Sequence, residues 1–385
     1  MEISAAIKYV GVDDLDIDLF ESQYIVPEGI SYNSYVILDD KIAIMDTVDA
    51  RKGKEWWVNV EKVLAGKAPD YLVVQHVEPD HASLIAEVVK RYPQVKVVAT
   101  SKALQMMPQF FHDVDFCLNG YPVKEGDTLS LGNHTLQFLT APMVHWPEVM
   151  VSYEQSEKVL FSADAFGKFG ALCHDDCWDC EARRYYINIC GKYGVQVQTL
   201  LKKAATLDIN TICPLHGPVL TENLGHYISL YDTWSKYEPE TEGVLVAYAS
   251  IHGGTAAAAE KLAEILREKG APKVVVTDLS RCDMAEAVED AFRYSHMVVC
   301  AASYDADVFP PMYDFLHHLK LKNFQNRKVA IMENGSWAPT AGRVMRAMLE
   351  GMKNIVIVEP VVTIRSRMKD DDIPAMEQLA EALLG

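Results

Sequence analysis

The sequence lacks the features of membrane proteins and of nucleic-acid-binding proteins. No apolar run approaches the roughly 20 residues that a helix needs to span a bilayer. The basic residues are scattered, even in the densest stretch at 320–328, and the formal net charge is −18. Nucleic acid would need a concentrated basic patch, and such acidity also disfavours an anionic membrane surface. We therefore expect neither nucleic acid nor a membrane as a partner.

Cysteine is sparse, and the first residues show no secretory signal. MEISAAIKYVGVDDLD lacks the basic-then-apolar pattern of a signal peptide. Eight cysteines in 385 residues are then typical of reduced thiols in a cytoplasm. With 49% hydrophobic and 23% charged residues, the composition is that of an ordinary globular protein, and the length suffices for two domains. We expect a cytoplasmic protein.

The two parts of the chain differ in their pattern of strands and helices. Residues 1–240 alternate short strand-like runs, such as YLVVQH and VKVVATS, with polar turns and with helical stretches at 82–92 and 183–205. This predicts a layered α/β domain with much antiparallel sheet. The polar stretch YEPETEG, residues 237–243, reads as a linker.

Strict alternation of strand and helix follows over residues 241–385. The strand-like runs VLVAYAS, KVVVTDLS, HMVVCAAS, KVAIMEN and IVIVEPVV are each followed by a helical stretch. Five strands with intervening helices predict a doubly wound five-stranded parallel sheet of the flavodoxin type.

HVEPDHASL, residues 76–84, concentrates acid and imidazole side chains directly after an apolar run. His76, Glu78, Asp80 and His81 are side chains of the type that bind zinc, iron or manganese. A tight loop after a strand can direct the first two one way and the last two another, so that it serves two neighbouring metals. The alternative is a capped helix start with incidental histidines.

Three later candidate ligands each follow a strand-like run. His145 lies in APMVHWPEV, Asp164 in LFSADAFG and His216 in CPLHGPV. The carboxyl ends of strands are where α/β proteins gather active sites. Each residue alone is more often structural, but all three after the dense motif indicate one shared metal site.

This arrangement resembles the metallo-β-lactamase superfamily, whose members read His-x-His-x-Asp-His and then His, Asp, His. Here Glu78 replaces the second histidine, and an added carboxylate shifts the preference from zinc toward iron. His-x-Glu-x-Asp-His is the form found in flavodiiron proteins, whose second domain is a flavodoxin. WDCEARRYYINICGKYG, from Trp178, also resembles that family.

The resemblance implies a metallo-β-lactamase-like αββα sandwich over residues 1–240 and a flavodoxin-like domain over 241–385. It also implies two non-haem irons bridged by Asp164, and no catalytic residue beyond the metal ligands. The implied ligands of one iron are His76, Glu78 and His145, and those of the other iron are Asp80, His81 and His216.

A second cluster looks like a zinc site. Cys173, His174, Cys177 and Cys180 lie close together in the sequence. A structural zinc needs four ligands with a matching second pair, and no second pair is suitably spaced. We interpret these cysteines as incidental thiols near the mouth of the metal site, and the sequence gives no support for a redox or access role.

The second half contains the loops that FMN needs at the carboxyl edge of a flavodoxin sheet. SIHGGTAAAA follows the first strand and precedes a helix, so it suits a phosphate. ASYDADVFPP and ENGSWAP complete a cradle for the ring, on which Tyr304 or Trp337 can stack; packing of Trp337 on its own domain is the alternative. The predicted FMN-binding residues are Ser250, His252, Gly253, Gly254, Thr255, Ser303, Tyr304, Asp305, Ala306, Gly335, Ser336 and Trp337.

A flavin joined to a redox-capable metal pair suits the reduction of a small molecule. Dioxygen needs four electrons to become water, matching two from FMN and two from the irons, and two NO molecules need two electrons to become N₂O. The GxGxxG of dinucleotide binders is absent, so direct NADH oxidation is not implied. We expect an oxygen or nitric-oxide reductase. The resemblance implies rubredoxin as the electron donor. It also implies a head-to-tail homodimer, or a dimer of such dimers. In this dimer the flavin of one chain passes electrons to the irons of the other chain.

The choice of gas stays open. Some family members have a histidine in the early loop, whereas LFESQYIVPEG offers Glu21, Gln23 and Tyr24. Two other functions are alternatives. One is a zinc-dependent hydrolase of the lactamase superfamily with a fused flavodoxin domain, and the other is an electron carrier whose metals are only structural.

Overall fold

The chain forms two compact units. The computed structural model describes residues 3–174 and 177–385, apart from the side chain of Cys117. The N-terminal unit comprises Met1–Tyr186 and Val195–Asp232, and the C-terminal unit comprises Ile187–Gly194 and Thr233–Gly385. Within the described ranges, no helix is both long and apolar enough to cross a membrane.

The N-terminal part contains many short strands and eight described helices. The strands β1 to β15 run over Ile7–Tyr9, Val12–Asp14, Leu19–Phe20, Tyr24–Ile25, Ile30–Tyr32, Tyr35–Ile37, Ala43–Met45, Tyr71–Val73, Lys96–Thr100, Gly120–Val123, Thr128–Ser130, Thr135–Thr140, Met150–Glu154, Val159–Phe161 and Thr211–Cys213. The helices α1 to α8 run over Gly53–Leu64, Pro79–Ala82, Ile85–Arg91, Ser101–Met106, Phe116–Asn119, Trp178–Ile189, Gly194–Ala204 and Leu224–Ser235.

Two sheets pack face to face in this unit and form the inner layers of the predicted αββα sandwich. One has the strand order β1-β6-β7-β8-β9-β10 and the other β11-β12-β13-β14-β15. Alternate residues of the strands, such as Met45 and Val73 from the first sheet and Phe138 and Phe161 from the second, share one buried cluster. Burial of each such side chain contributes about 1.5–3 kcal/mol, so this apolar layer holds the sheets together.

The strand directions bring several loops to one edge of the sandwich. In the first sheet β7, β8 and β9 are parallel, and in the second β14 and β15 are parallel. Strand β12 runs antiparallel to β13, which runs antiparallel to β14, so β12 and β14 point the same way. The loops after β8, β12, β14 and β15 carry the predicted metal ligands.

The single helix predicted over 183–205 is wrong. Helix α6 begins earlier and ends at Ile189, a 3-10 turn covers Gly191–Tyr193, and α7 begins at Gly194. Glycine has a low helix propensity, and two glycines within four residues interrupt the pattern. A Cβ atom on Gly194 would lie 2.3 Å from the carbonyl oxygen of Ser235, so the close backbone approach requires glycine there.

The C-terminal unit confirms the predicted flavodoxin topology. Its strands β16 to β21 run over Thr241–Ala249, Val274–Asp278, Tyr294–Tyr304, Asp307–Val308, Arg327–Asn334 and Ile355–Ile364. Its helices α9 to α13 run over Gly254–Glu268, Met284–Arg293, Pro310–Leu321, Ala341–Glu350 and Ile373–Leu384. The parallel order β17-β16-β18-β20-β21 is doubly wound, and the short β19 pairs antiparallel with β18. The strand β16 begins inside the predicted linker.

A candidate diiron site and a candidate flavin site

The loop after β8 supplies four acid and imidazole side chains. His76 follows the strand, Glu78 occupies the N-cap position of α2 without a side-chain capping hydrogen bond, and Asp80 and His81 lie on that short helix. Pro79 at the first helical position fixes the backbone where the helix begins. The loop and the helix turn thus direct consecutive side chains to different sides.

Three of the predicted ligands form one donor group. The Nε2 atom of His76 lies 3.1 Å from Glu78 Oε2 and 3.3 Å from His145 Nε2. His145 Nε2 is 2.9 Å from the same Glu78 oxygen. Donor atoms bonded to one ion at about 2.1 Å, at right angles, lie about 3 Å apart. The three atoms therefore have the spacing that one metal ion requires.

A second donor group has the same spacing. His81 Nε2 and His216 Nε2 lie 3.0 Å apart. Asp80 Oδ2 is 3.2 Å from His81 Nε2 and 3.3 Å from His216 Nε2. All three residues are buried, so this group can hold a cation away from bulk water.

Asp164 faces both donor groups, one with each carboxylate oxygen. Its Oδ2 atom lies 3.4 Å from His76 Nε2 and 3.6 Å from His145 Nε2. Its Oδ1 atom lies 3.4 Å from His81 Nε2 and 3.8 Å from His216 Nε2. A carboxylate in this position can share its charge between two cations.

The donor set fits a pair of metal ions, and iron is among the metals it suits. Both oxygens of Asp80 and Oδ2 of Asp164 are buried without a hydrogen-bond partner among the described residues. Such atoms are costly unless another group satisfies them, and a metal ion does so. The set contains four imidazoles and three carboxylates in two groups, and nitrogen with oxygen ligands suits iron, manganese or zinc.

The charges within the site support cation binding. Burial alone would raise the pKa of the Asp164 carboxyl, but its hydrogen bond with His81 and the positive charge of His76 hold that pKa below its usual value. Burial likewise opposes the charge of Asp80, yet His81 and His216 keep its pKa well below the ordinary range. These carboxylates therefore stay ionised although they are buried.

Contacts outside the donor groups orient the ligands, and no sequence motif predicted them. His76 Nδ1 donates to Glu148 Oε1 at 2.7 Å, and His216 Nδ1 donates to the carbonyl oxygen of Ser31 at 2.7 Å. Such partners fix the imidazole tautomer that leaves Nε2 for a metal. Glu148 stands three residues after His145 in APMVHWPEV, and this proximity was the only available signal.

Aromatic side chains enclose the second donor group. The rings of Phe20 and Tyr185 lie 5.3 Å and 5.5 Å from the His216 ring. The Tyr185 hydroxyl donates to Asp164 Oδ1 at 3.1 Å. Both aromatic residues are buried, so they restrict water on that side of the site.

The early loop predicted to bear on gas choice is a tight hairpin between β3 and β4. Glu21 is exposed at its tip, and its backbone has a positive φ of 49°. The Gln23 amide donates to Glu21 Oε2 at 3.2 Å, and Tyr24 is buried.

The predicted flavin residues surround a cavity at the carboxyl ends of the parallel strands. The cavity has a volume of about 760 Å³ and is lined by 11 of the 12 predicted residues, all except Gly253. Cavities of this size hold cofactors. Trp337 is 89% exposed and Tyr304 is 45% exposed, so neither ring is buried in its own domain and both remain available to stack on a ligand.

The amino end of α9 suits a phosphate. Gly253 has a φ of +83°, which favours glycine, and its N–H donates to Ser250 Oγ at 3.1 Å. A Cβ atom on Gly254 would lie 2.2 Å from the carbonyl oxygen of Ser366. The loop therefore packs tightly, and the free amides that begin a helix suit an anion such as a phosphate.

One loop of the cavity was not foreseen from the sequence. Ser366 and Arg367 line it after β21, and Asn334, the last residue of β20, lies beside them. Asn334 Nδ2 donates to the Ser366 carbonyl at 2.9 Å, and the Ser366 N–H donates to Asn334 Oδ1 at 3.0 Å. Arg367 brings a positive charge to the cavity, which suits the charge of a flavin phosphate.

The comparisons with known proteins match both units. The sequence model of the ODP family beta lactamase matches residues 30–217. The nitric oxide reductase of Moorella thermoacetica is 29% identical, with 99% of this chain and 97% of that protein covered. The rubredoxin oxygen:oxidoreductase of Desulfovibrio gigas is 26% identical and superimposes with a TM-score of 0.93 over 100% of this chain and 97% of that one. The chain belongs to the flavodiiron protein family.

Further relatives of this flavodiiron protein have additional length. The chain is 29% identical to an anaerobic nitric oxide reductase flavorubredoxin of Aeromonas hydrophila, and the match covers 88% of this chain and 70% of that protein. The fold class and the oxidoreductase class predicted from the sequence are confirmed. FMN and two non-haem irons are the cofactors of this family, and the two sites described above fit them.

Proposed function

We propose that this protein reduces dioxygen to water and nitric oxide to nitrous oxide at a pair of irons, and that FMN relays the electrons. The observation that carries the proposal is the position of Asp164, whose two carboxylate oxygens face two separate donor groups. A hydrolase with two metals would also occupy both groups, but it needs only a metal-activated water and no flavin. The named relatives act on nitric oxide or, with rubredoxin, on oxygen.

The seven predicted ligands are assigned to the irons as the resemblance implies. The group around His76 would hold the first iron and the group around His81 the second. Asp164, whose two oxygens face both groups, would be shared between them. Iron supplies a metal that changes its oxidation state, which zinc does not. Glu78 adds a carboxylate to the first group and favours this choice over the zinc hydrolase.

The residues around the ligands hold the site in one geometry. Glu148 fixes the ring of His76 through Nδ1, and Ser31 does the same for His216. Tyr185 holds Asp164 through one carboxylate oxygen. Buried aromatic rings exclude water, and a neutral diatomic gas needs no basic residue for its capture.

The electrons enter through the flavin. We assign the irons to residues 1–240 and FMN to residues 241–385, with the 12 predicted residues, Asn334, Ser366 and Arg367 around the cofactor. A separate rubredoxin-like carrier in the cytoplasm is the proposed donor. A head-to-tail homodimer, in which one chain's flavin serves the other's irons, follows from the resemblance.

The function is tested by anaerobic assays with reduced rubredoxin. We expect consumption of NO with formation of N₂O, and consumption of O₂ without accumulation of hydrogen peroxide. Protein that holds iron and FMN but consumes neither gas would contradict the proposal. A zinc-loaded protein that hydrolyses ester or lactam substrates would favour the hydrolase.

The dimer is tested with two inactive variants. Asp80→Ala should disable the irons, and Gly254→Trp should remove FMN. In a purified heterodimer of the two, one intact flavin meets one intact iron pair across the interface, and activity should return. An inactive heterodimer that contains both cofactors would exclude transfer between chains.

A further inference from the structure

Two cysteines lie side by side at the start of α6, outside the metal and flavin sites. The Sγ atoms of Cys177 and Cys180 are 3.1 Å apart, and no disulfide joins them. A disulfide bond is about 2.0 Å long, so the sulfurs need to approach by only about 1 Å. Residues three positions apart at a helix start lie on one face, which explains the contact.

Neighbouring contacts fix the turn that carries this pair. Trp178, between the cysteines, packs against Tyr227 with the ring centroids 4.4 Å apart. Asp179, also between them, accepts a hydrogen bond from His226 at 2.8 Å. The two intervening residues are therefore held on α8, and this keeps the two sulfurs in contact.

The third cysteine of the segment does not join the pair. The Cys173 N–H donates to Asp13 Oδ2 at 3.3 Å, and the adjacent His174 pairs with Glu28 at 2.7 Å. Among the described residues, the groups with metal-binding geometry contain no cysteine. The arrangement is therefore a dithiol and not a zinc site.

We propose that Cys177 and Cys180 form a redox-active dithiol that reduces hydroperoxides and is converted to a disulfide. The Cys177 side chain is exposed, whereas that of Cys180 is partly covered. The exposed sulfur is the attacking nucleophile, and the partly covered one resolves the product, as in other Cys-x-x-Cys pairs.

The chemistry balances in two steps. The Cys177 thiolate attacks one peroxide oxygen, the O–O bond breaks, and the leaving oxygen takes a proton to give water or an alcohol. The Cys180 sulfur then attacks the resulting sulfenic acid, the S–S bond forms, and water leaves. Two thiols lose two electrons and the peroxide gains them. An external dithiol restores the pair by thiol–disulfide exchange.

Charge favours a neutral oxidant. The chain has a formal charge of −18, and Asp175, Asp176, Asp179 and Glu181 surround the pair in the sequence. An anionic disulfide such as oxidised glutathione is repelled by the net negative charge of the chain. Hydrogen peroxide carries no charge and is small enough to reach the sulfur of Cys177.

The test treats the complete protein, with FMN and iron, with limiting hydrogen peroxide, followed by thiol blocking and peptide mass spectrometry. Cleavage after Lys168 and Arg183 leaves all three neighbouring cysteines in one peptide, so variants identify the pair. We expect the mass of this peptide to fall by two hydrogens when the disulfide forms, and dithiothreitol to reverse the change. Cys173→Ser should still form the disulfide, whereas Cys177→Ser and Cys180→Ser should not.

Different results would overturn the proposal. One such result is that the Cys177 thiol still reacts with the blocking reagent after peroxide treatment. Another is that the Cys173→Ser variant no longer forms the disulfide. Faster oxidation by glutathione disulfide than by peroxide at equal concentration would contradict the assigned oxidant. Retained FMN and iron in each variant show that the fold is intact, and these readouts do not depend on the substrate of the irons.

Discussion

The hydroxyl of Tyr185 donates a hydrogen bond to Asp164 Oδ1 at 3.1 Å, and this bond ties helix α6 to the carboxylate that faces both donor groups. A hydrogen bond to an ionised carboxylate contributes about 1.5–3 kcal/mol. Loss of this hydrogen bond leaves the contacts of the Asp164 carboxylate with the histidines in place, but the carboxylate is then free to change its orientation.

Tyr185→Phe should retain iron and lose about tenfold in gas turnover, the lower end of the range for partners of metal ligands. Iron content and turnover are measured on the same preparation. Tyr186→Phe is the matched control, because Tyr186 lies next in the helix and packs on Tyr231. Equal turnover in the two variants would show that the Tyr185 hydroxyl does not position the Asp164 carboxylate.

Glu148→Gln should weaken iron binding in the group around His76. The carboxylate accepts hydrogen bonds from His76 Nδ1 and from the Val77 N–H, and glutamine removes its charge while keeping its size. We expect iron affinity to fall by roughly 10–100-fold, measured by competition with a chelator. Glu125→Gln, at a partly exposed carboxylate paired with Lys203, is the control. Unchanged iron retention in Glu148→Gln would exclude the role.

Gly254→Val should reduce FMN binding by at least about tenfold, or about 1.4 kcal/mol. Its Cβ would meet the Ser366 carbonyl at 2.2 Å and displace the loop at the start of α9. The bound flavin is read from its absorbance after desalting. Gly225→Ala is the control, since a Cβ there meets nothing within 4 Å. Normal FMN content in Gly254→Val would show that the FMN phosphate does not bind at the start of α9.

His134 joins two carboxylates, Asp39 at 2.8 Å and Glu157 at 3.1 Å. Burial opposes its charge, but the hydrogen bonds to these residues raise its pKa above the ordinary value. A histidine whose pKa is raised by folding stabilises the folded state fully at pH values below its ordinary pKa. This stabilisation is lost as the pH rises through the raised pKa.

His134→Asn should therefore destabilise the protein by about 1 kcal/mol near pH 6 and by less near pH 9. Urea midpoints of both proteins are compared at the two pH values, with the exposed His112→Asn as the control. A difference that grows with pH would contradict the assignment.

The sequence singled out the seven residues that the structure gathers into two donor groups, because each follows a strand or lies in one dense motif. Their role as metal ligands stays a prediction. His76, Asp164 and His216 are recognisable from local pattern alone. Glu148 and Ser31 are partners of residues 72 and 185 positions away, and only the packing of the two sheets brings them together.

The same limit applies to the flavin site and to the helices. Arg367 reaches the cavity from a loop after the last strand, and no local pattern marks it. The helix break at Gly194 depends on the distant Ser235 carbonyl. The contact between Cys177 and Cys180 depends on α6 beginning at Trp178. The helix predicted from the sequence begins only at residue 183, so the contact could not be predicted.

The central claim is that Asp164 bridges two irons, and elemental analysis of Asp164→Ala tests it most directly. The wild-type protein, expressed with ample iron and purified anaerobically, should contain two irons per chain, one for each donor group. Asp164→Ala should lose much of that iron and all gas reduction while keeping its FMN. Full iron occupancy with wild-type turnover of O₂ and NO in the variant would contradict the account.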